Sequence, residues 1–174
     1  MLFRSVFGGL SPFVSQNNPD ALRPLNVFLM SDGNSTVNIR KDDDFVRGIV
    51  GMNPGNVSIY SFSAGRKANL FLMRFLGYLN RGFSLHEDEV GNFRRRLVSF
   101  ISGHSSLIVA DLRYEAAGGL GGGIFPKRLP HLYRGETLSI FGQFPPSADE
   151  LVLSLIGRDR SEERRVGKEC RSRW

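Results

Sequence analysis

The first half of the chain alternates short continuous apolar runs with longer segments of helical spacing. LNVFLM (25–30) and VSIYSFSA (57–64) are short runs ended by glycine turns, a pattern typical of strands buried on both faces of a parallel sheet. Between them, DDDFVRGIVGM (42–52) begins with three aspartates and continues with apolar residues along one side. Acidic residues favour the positive end of a helix dipole, so this segment predicts a helix.

The next segments continue the alternation. ANLFLMRFLGYL (68–79) predicts a mostly apolar helix, RGFSL (81–85) a short strand, and HEDEVGNFRRRLVSFISGH (86–104) another helix. We expect residues 6–24 to form a loop with a remnant of a helix. Strands that alternate with helices predict an α/β fold with a parallel sheet, and Asp32 should lie at the carboxyl end of the strand 26–30.

The pattern changes near residue 106. Three strand-like segments follow without helices between them, at 106–116, 136–144 and 150–158. This arrangement predicts a separate antiparallel unit, or the edge of one whose partner strands lie elsewhere in a longer protein. We therefore expect a partial α/β domain over residues 6–115 and a β-rich segment over 116–159.

The positive charge of the chain is concentrated at its ends. The formal net charge is +6, and residues 160–174 hold six basic and three acidic residues together with the only cysteine and the only tryptophan. This tail, RSEERRVGKECRSRW, resembles the in-frame translation of a common sequencing-library adapter, and MLFRS at the amino terminus resembles the opposing adapter. We expect residues 1–5 and 160–174 to be adapter read-through, and 6–159 to be an internal piece of a longer protein.

Without these ends the sequence is nearly neutral and contains no cysteine. Its charge therefore gives no reason to expect a nucleic-acid partner. No apolar run reaches the roughly 18 residues that a membrane helix needs, so the sequence predicts no membrane segment here.

Ser31-Asp32-Gly33 is the most informative short motif. Asp32 follows a predicted parallel strand, at the edge where α/β sheets place their ligand sites. Carboxylate oxygens suit hard cations such as Mg²⁺, Ca²⁺ or Mn²⁺. Asp-Gly is also among the commonest turn signals, so the residues alone leave open a cation ligand and a simple turn.

Longer stretches resemble the second half of a von Willebrand factor type A (VWA) domain, namely PLNVFLMSDGN, NVSIYSFSAGRKANLFLMRFLGYLNRG and FRRRLVSFISGHSSLIVADLRYE. FPKRLPHLYRGETLSIFGQF resembles the segment that follows this domain in inter-alpha-trypsin inhibitor heavy chain-like proteins and their bacterial relatives. The resemblance covers about residues 24–158. It implies an incomplete Rossmann-like parallel sheet with flanking helices, followed by a short β-rich segment.

The resemblance also implies a non-enzymatic adhesion module that binds a protein ligand through Mg²⁺ or Ca²⁺. Three loops build this metal-ion-dependent adhesion site in the family. Only the loop with Thr-Asp-Gly matches, and it assigns Asp32 to the metal site with Ser31 in place of the threonine. The loop with Asp-x-Ser-x-Ser would precede Val6, so we expect no cation to be bound by this chain alone. The resemblance by itself suggests an extracytoplasmic or secreted location.

Two other interpretations stay open. One is an α/β enzyme with a nucleotide or substrate site at the same strand ends, and the other is a metal-free structural VWA-like domain, which Leu10 favours because it replaces a hydroxyl residue of the family's second loop. The glycines at 118–123 do not open a helix, so they predict a linker and not a phosphate-binding loop. The three histidines have no ligand-spaced neighbours, and we expect them at the surface or in helix caps, without a Ser/His/Asp set.

Overall fold

The computed structural model describes most of the chain, namely residues 2–16, 23–34, 42–117, 123–143 and 152–158. The chain forms two compact units, Met1–Ser105 and Ser106–Trp174. The first unit therefore ends at residue 105, whereas the sequence prediction ended the first domain at residue 115. The expected adapter residues 160–174 and most of the glycine cluster, 118–122, lie outside the described residues, and the adapter origin of both termini stays a prediction.

The first unit alternates helices and strands. A single 3₁₀ turn, Val90–Asn92, precedes its last helix. The other elements are α1 (Leu2–Ser15), β1 (Leu25–Met30), α2 (Asp42–Met52), β2 (Val57–Ala64), α3 (Leu70–Leu79), β3 (Ser84–Glu87) and α4 (Phe93–Gly103).

These strands form a parallel sheet in the order β1-β2-β3. Val27 of β1 lies opposite Ile59 of β2, and Phe62 of β2 lies opposite Leu85 of β3. β2 is central and is buried along almost its whole length, as expected for a parallel strand covered on both faces. The predicted parallel α/β architecture is therefore confirmed.

The side chains of β2 divide between two packed layers. Ile59 joins a core cluster with Val46 and Ile49 of α2 and with Leu72 and Leu76 of α3. On the alternate positions, the Tyr60 ring stacks on Phe28 and meets Phe100 of α4 edge-on. Helices thus cover both faces of the sheet, and its strand ends remain as the places where polar side chains gather.

Two boundaries differ from the sequence prediction. Residues 2–15 are helical, although a loop was expected over most of them, because Leu10 and Val14 pack one turn apart against the core cluster. The last helix begins at Phe93 and not at 86, because His86 and Glu87 extend β3 beside Ser63 and Ala64 of β2.

The second unit is an antiparallel sheet, as predicted. It has the order β5-β4-β6, with β4 (Leu107–Ala117), β5 (Leu132–Tyr133) and β6 (Val152–Arg158). Val109, Leu112 and Leu129 form its buried core. The prediction of a strand at 136–144 is wrong, because the described residues up to 143 do not form one. In that segment a single bridge joins Phe141 to Phe125.

Candidate ligand-binding edge of the parallel sheet

β1 ends in a tight turn built by Ser31, Asp32 and Gly33. The Ser31 amide donates the last sheet hydrogen bond, to the Phe62 carbonyl (3.2 Å). The Ser31 hydroxyl then accepts from the Gly33 amide, and Asp32 Oδ1 accepts from the Asn34 amide, each at 3.0 Å. Both side chains therefore stabilise the turn, as short polar side chains commonly do.

Gly33 is required in this turn. Its φ is +71°, a conformation that favours glycine. A Cβ at this position would lie 3.0 Å from the Asn69 carbonyl oxygen and 3.0 Å from Met73 Cγ. The turn is thus packed tightly against the beginning of α3.

α3 fixes the position of Asp32. The Asn69 amide donates to the Asp32 carbonyl (2.6 Å), and the Asn69 side chain caps α3 by accepting from the Leu72 amide (3.1 Å). The Asn34 side chain donates to the Lys67 carbonyl (2.6 Å), on the segment that leads into α3. The backbone of Asp32 is therefore held rigidly while its side chain is exposed to solvent.

The ends of β2 and β3 bring together a set that the sequence did not reveal. Ser63 lies directly opposite His86 in the sheet. His86 Nδ1 is 2.8 Å from Ser63 Oγ, and His86 Nε2 is 2.9 Å from Asp88 Oδ1. Because a carboxylate only accepts, the hydrogen bond to Asp88 is donated by Nε2–H of His86.

This set has the order of a Ser/His/Asp triad, but Ser63 is only 1% exposed. A nucleophile must reach the carbonyl that it attacks, and a buried hydroxyl does not. The expectation of no Ser/His/Asp set was therefore wrong, because these three side chains are hydrogen bonded to one another in that order. The observed arrangement ties the end of β3 to the end of β2.

Glu87, at the end of β3, contacts other groups of this chain with both carboxylate oxygens. Its Oε2 pairs with Arg96 Nε of α4 (3.2 Å), and its Oε1 accepts from the Glu89 amide (3.0 Å).

The other two histidines, His104 and His131, are buried. His104 Nδ1 lies 2.6 Å from the Phe100 carbonyl at the end of α4, and His131 Nδ1 accepts from the Asp111 amide.

The described residues by themselves do not fit a hard divalent cation. They contain no group of three or more His, Cys, Asp or Glu side chains arranged to hold a metal. Asp32 and Ser31 supply one carboxylate and one hydroxyl, whereas Mg²⁺ and Ca²⁺ take six or more oxygen ligands.

In the same described part of the chain, no helix is long and apolar enough to cross a membrane.

Comparison with known proteins agrees with this architecture. No protein-family model matches the chain. It is 27% identical over 140 residues to human inter-alpha-trypsin inhibitor heavy chain H6, a match that covers 80% of this chain and 11% of that protein. The chain therefore spans a small part of this curated relative.

Two solved structures share the fold over 95% of this chain. One is a von Willebrand factor type A protein from Catenulispora acidiphila, with a TM-score of 0.63, 14% identity and 45% of that chain covered. The other is the ArnB paralog VWA2 from Sulfolobus acidocaldarius, with a TM-score of 0.55, 18% identity and 44% covered. The resemblance to VWA domains and to an inter-alpha-trypsin inhibitor heavy chain is confirmed, and the fold is that of a VWA domain.

Proposed function

We propose that this VWA-type chain is part of a protein-binding module, not an enzyme, and that its ligand docks at the carboxyl edge of the parallel sheet around Asp32. The observation that carries the proposal is the combination of an exposed carboxylate with a rigid backbone. Asp32 is held by the Asn69 amide and by its own turn, while its side chain faces solvent. A charged group that is already positioned loses little conformational freedom when a ligand binds.

A divalent cation is the second part of the proposal. In the longer protein, Asp32 and Ser31 contribute to a Mg²⁺ or Ca²⁺ site that bridges to a carboxylate of the ligand. The remaining oxygen ligands come from loops outside the described residues, because one carboxylate and one hydroxyl are too few. This chain alone is accordingly expected not to bind such cations.

The alternatives differ in how well the geometry supports them. An enzyme that used Ser63 as nucleophile would have to expose a residue that is only 1% exposed. A metal-free structural domain has one observation in its favour, since Ser31 and Asp32 already serve as turn acceptors. A protein partner is preferred to nucleic acid because residues 6–159 are nearly neutral.

The test is Mn²⁺ binding by the domain expressed together with the sequence that precedes residue 6 in the parent gene. The free Mn²⁺ signal in electron paramagnetic resonance gives the dissociation constant, expected at about 10⁻⁴ M for an extracellular-type oxygen site. Asp32→Ala should weaken binding by at least about tenfold. Asp44→Ala, at an exposed carboxylate on α2, is the matched control and should leave it unchanged.

Two results would contradict the cation site. One is a wild-type domain that binds no Mn²⁺ in the millimolar range. The other is an Asp32→Ala variant that binds as tightly as the Asp44→Ala control.

A further inference from the structure

The outer face of α3 carries a row of exposed aromatic side chains. Phe71, Phe75 and Tyr78 are spaced four and three residues apart, which puts them on one face of the helix. They are 72%, 38% and 41% exposed, and the rings of Phe71 and Phe75 stack with centroids 5.6 Å apart. We call these three residues the aromatic stripe.

The face of α3 opposite the stripe provides the fully buried contacts that hold the helix on the sheet. The opposite face of the helix is buried, and Leu72, Met73 and Leu76 are each no more than 1% exposed. Taking about 200 Å² for a fully exposed aromatic side chain, the stripe leaves about 300 Å² of aromatic surface in water. This area is comparable to the largest apolar patch of a typical soluble monomer, about 300–600 Å², which is often functional.

Three exposed basic residues lie on α3 and just before it. Arg74 lies on the same outward side of α3, and Arg66 and Lys67 precede the helix; all three are exposed. None of the three has an ion-pair partner among the residues that the structure describes. From Gly65 to Phe83 the sequence contains no aspartate or glutamate.

We propose that the aromatic stripe docks a short amphipathic segment of a partner protein whose apolar side chains are flanked by aspartate or glutamate. Apolar anchors would cover the rings of Phe71 and Phe75, and the acidic flanks would pair with Arg74 and the basic residues before α3. Complementary charge of this kind sets the orientation and speeds association. The surface requires no cation, although the segment before α3 that carries Lys67 adjoins the turn of Asp32 through the Asn34 side chain.

A second copy of this chain fits the surface less well. A stable homodimer buries about 800 Å² on each partner, which is well above the area of the stripe. A two-fold contact between two α3 helices would also bring Arg74 near its equivalent, with no acidic residue on either helix to compensate.

The test uses the whole chain and a fluorescein-labelled helical peptide with leucines at positions i, i+4 and i+7 and glutamates beside them. A second peptide with lysine in place of each glutamate is the charge control. Fluorescence anisotropy should show binding of the acidic peptide alone, weakened by raising the salt from about 0.05 to 0.5 M. The double variant Phe71→Ala/Phe75→Ala should weaken it by about tenfold or more, because truncated aromatic anchors are costly.

The control is Phe13→Ala, which removes a phenylalanine of α1 that is 68% exposed and should leave binding unchanged. Arg74→Glu should weaken binding of the acidic peptide and strengthen binding of the lysine peptide. Since these side chains are exposed, the variants should keep the wild-type circular dichroism spectrum.

Three outcomes would overturn the proposal. The first is absence of acidic-peptide binding at millimolar concentration, or binding unaffected by the double variant. The second is stripe-dependent binding to phosphatidylserine vesicles in place of the peptide, which would indicate a membrane surface. The third is a concentration-dependent dimer in sedimentation that the double variant abolishes, which would indicate a second copy.

Discussion

Gly82 lies where the chain leaving α3 passes closest to the central strand. A Cβ at this position would stand 2.0 Å from the Ile59 carbonyl oxygen and 2.6 Å from the Ile59 carbonyl carbon. The segment cannot simply move away, because it is hydrogen bonded to β2 on both sides of Gly82. The Ile59 amide donates to the Asn80 carbonyl and the Ser61 amide to the Phe83 carbonyl, each at 3.0 Å.

The cost of Gly82→Ala follows from these distances. Ordinary contacts between heavy atoms begin near 3.5 Å, so the backbone must shift by about 1.5 Å. Such a shift breaks one or both of the flanking hydrogen bonds, at about 1 kcal/mol each, in addition to about 1–3 kcal/mol for overpacking. We expect the free energy of unfolding to fall by about 2–5 kcal/mol.

Urea unfolding followed by far-ultraviolet circular dichroism measures this change. Gly51→Ala is the matched control, since Gly51 lies in α2, is exposed, and a methyl group added there would meet no neighbouring group within 4 Å. That control should raise the free energy of unfolding by about 0.5–1 kcal/mol, because alanine favours helix. A Gly82→Ala variant within about 0.5 kcal/mol of wild type would refute the packing of this turn on β2.

Two further substitutions probe the elements that position the sheet edge. Asn80→Ala removes the acceptor of Asn53 Nδ2 (2.9 Å) and the donor to the Leu76 carbonyl (2.8 Å) in a buried network. We expect urea unfolding to show that the free energy of unfolding falls by about 2–3 kcal/mol. A change below about 0.5 kcal/mol would contradict the network. Gly33→Ala strains the turn after β1 and should cost about 1–3 kcal/mol. It should also shift the amide resonances of Asp32 and Asn69 in a ¹H–¹⁵N spectrum, and unchanged resonances would show that the turn is not packed on α3 as described.

The sequence predicted the elements whose signal is local. β1 and β2 are short apolar runs, and α3 is an apolar helix ended by a turn, so each could be recognised from neighbouring residues. α1 was predicted only as a remnant of a helix, because the packing of Leu10 and Val14 depends on a core formed by later elements. The expected strand at 136–144 failed because a suitable residue pattern does not supply a partner strand.

The sheet edge shows the same limit. Asp32 was placed correctly at the end of β1, since a strand end can be read from the sequence. Ser63 and His86 are far apart in the sequence, and only the parallel register brings them face to face. Whether Asp32 and Ser31 hold a cation stays a prediction, because the oxygen atoms that would complete such a site do not belong to these strands.

The most direct measurement for the proposed function is the cation dependence of protein-ligand binding. The domain with its preceding sequence would be used to isolate the ligand in Mg²⁺ buffer, and calorimetry would give its dissociation constant with Mg²⁺, with EDTA, and for the Asp32→Ala and Asp44→Ala variants. We predict that EDTA and Asp32→Ala each weaken binding by at least about tenfold while Asp44→Ala does not. An affinity that is the same in EDTA and in the Asp32→Ala variant as in the wild-type domain with Mg²⁺ would contradict it and would support a metal-free domain.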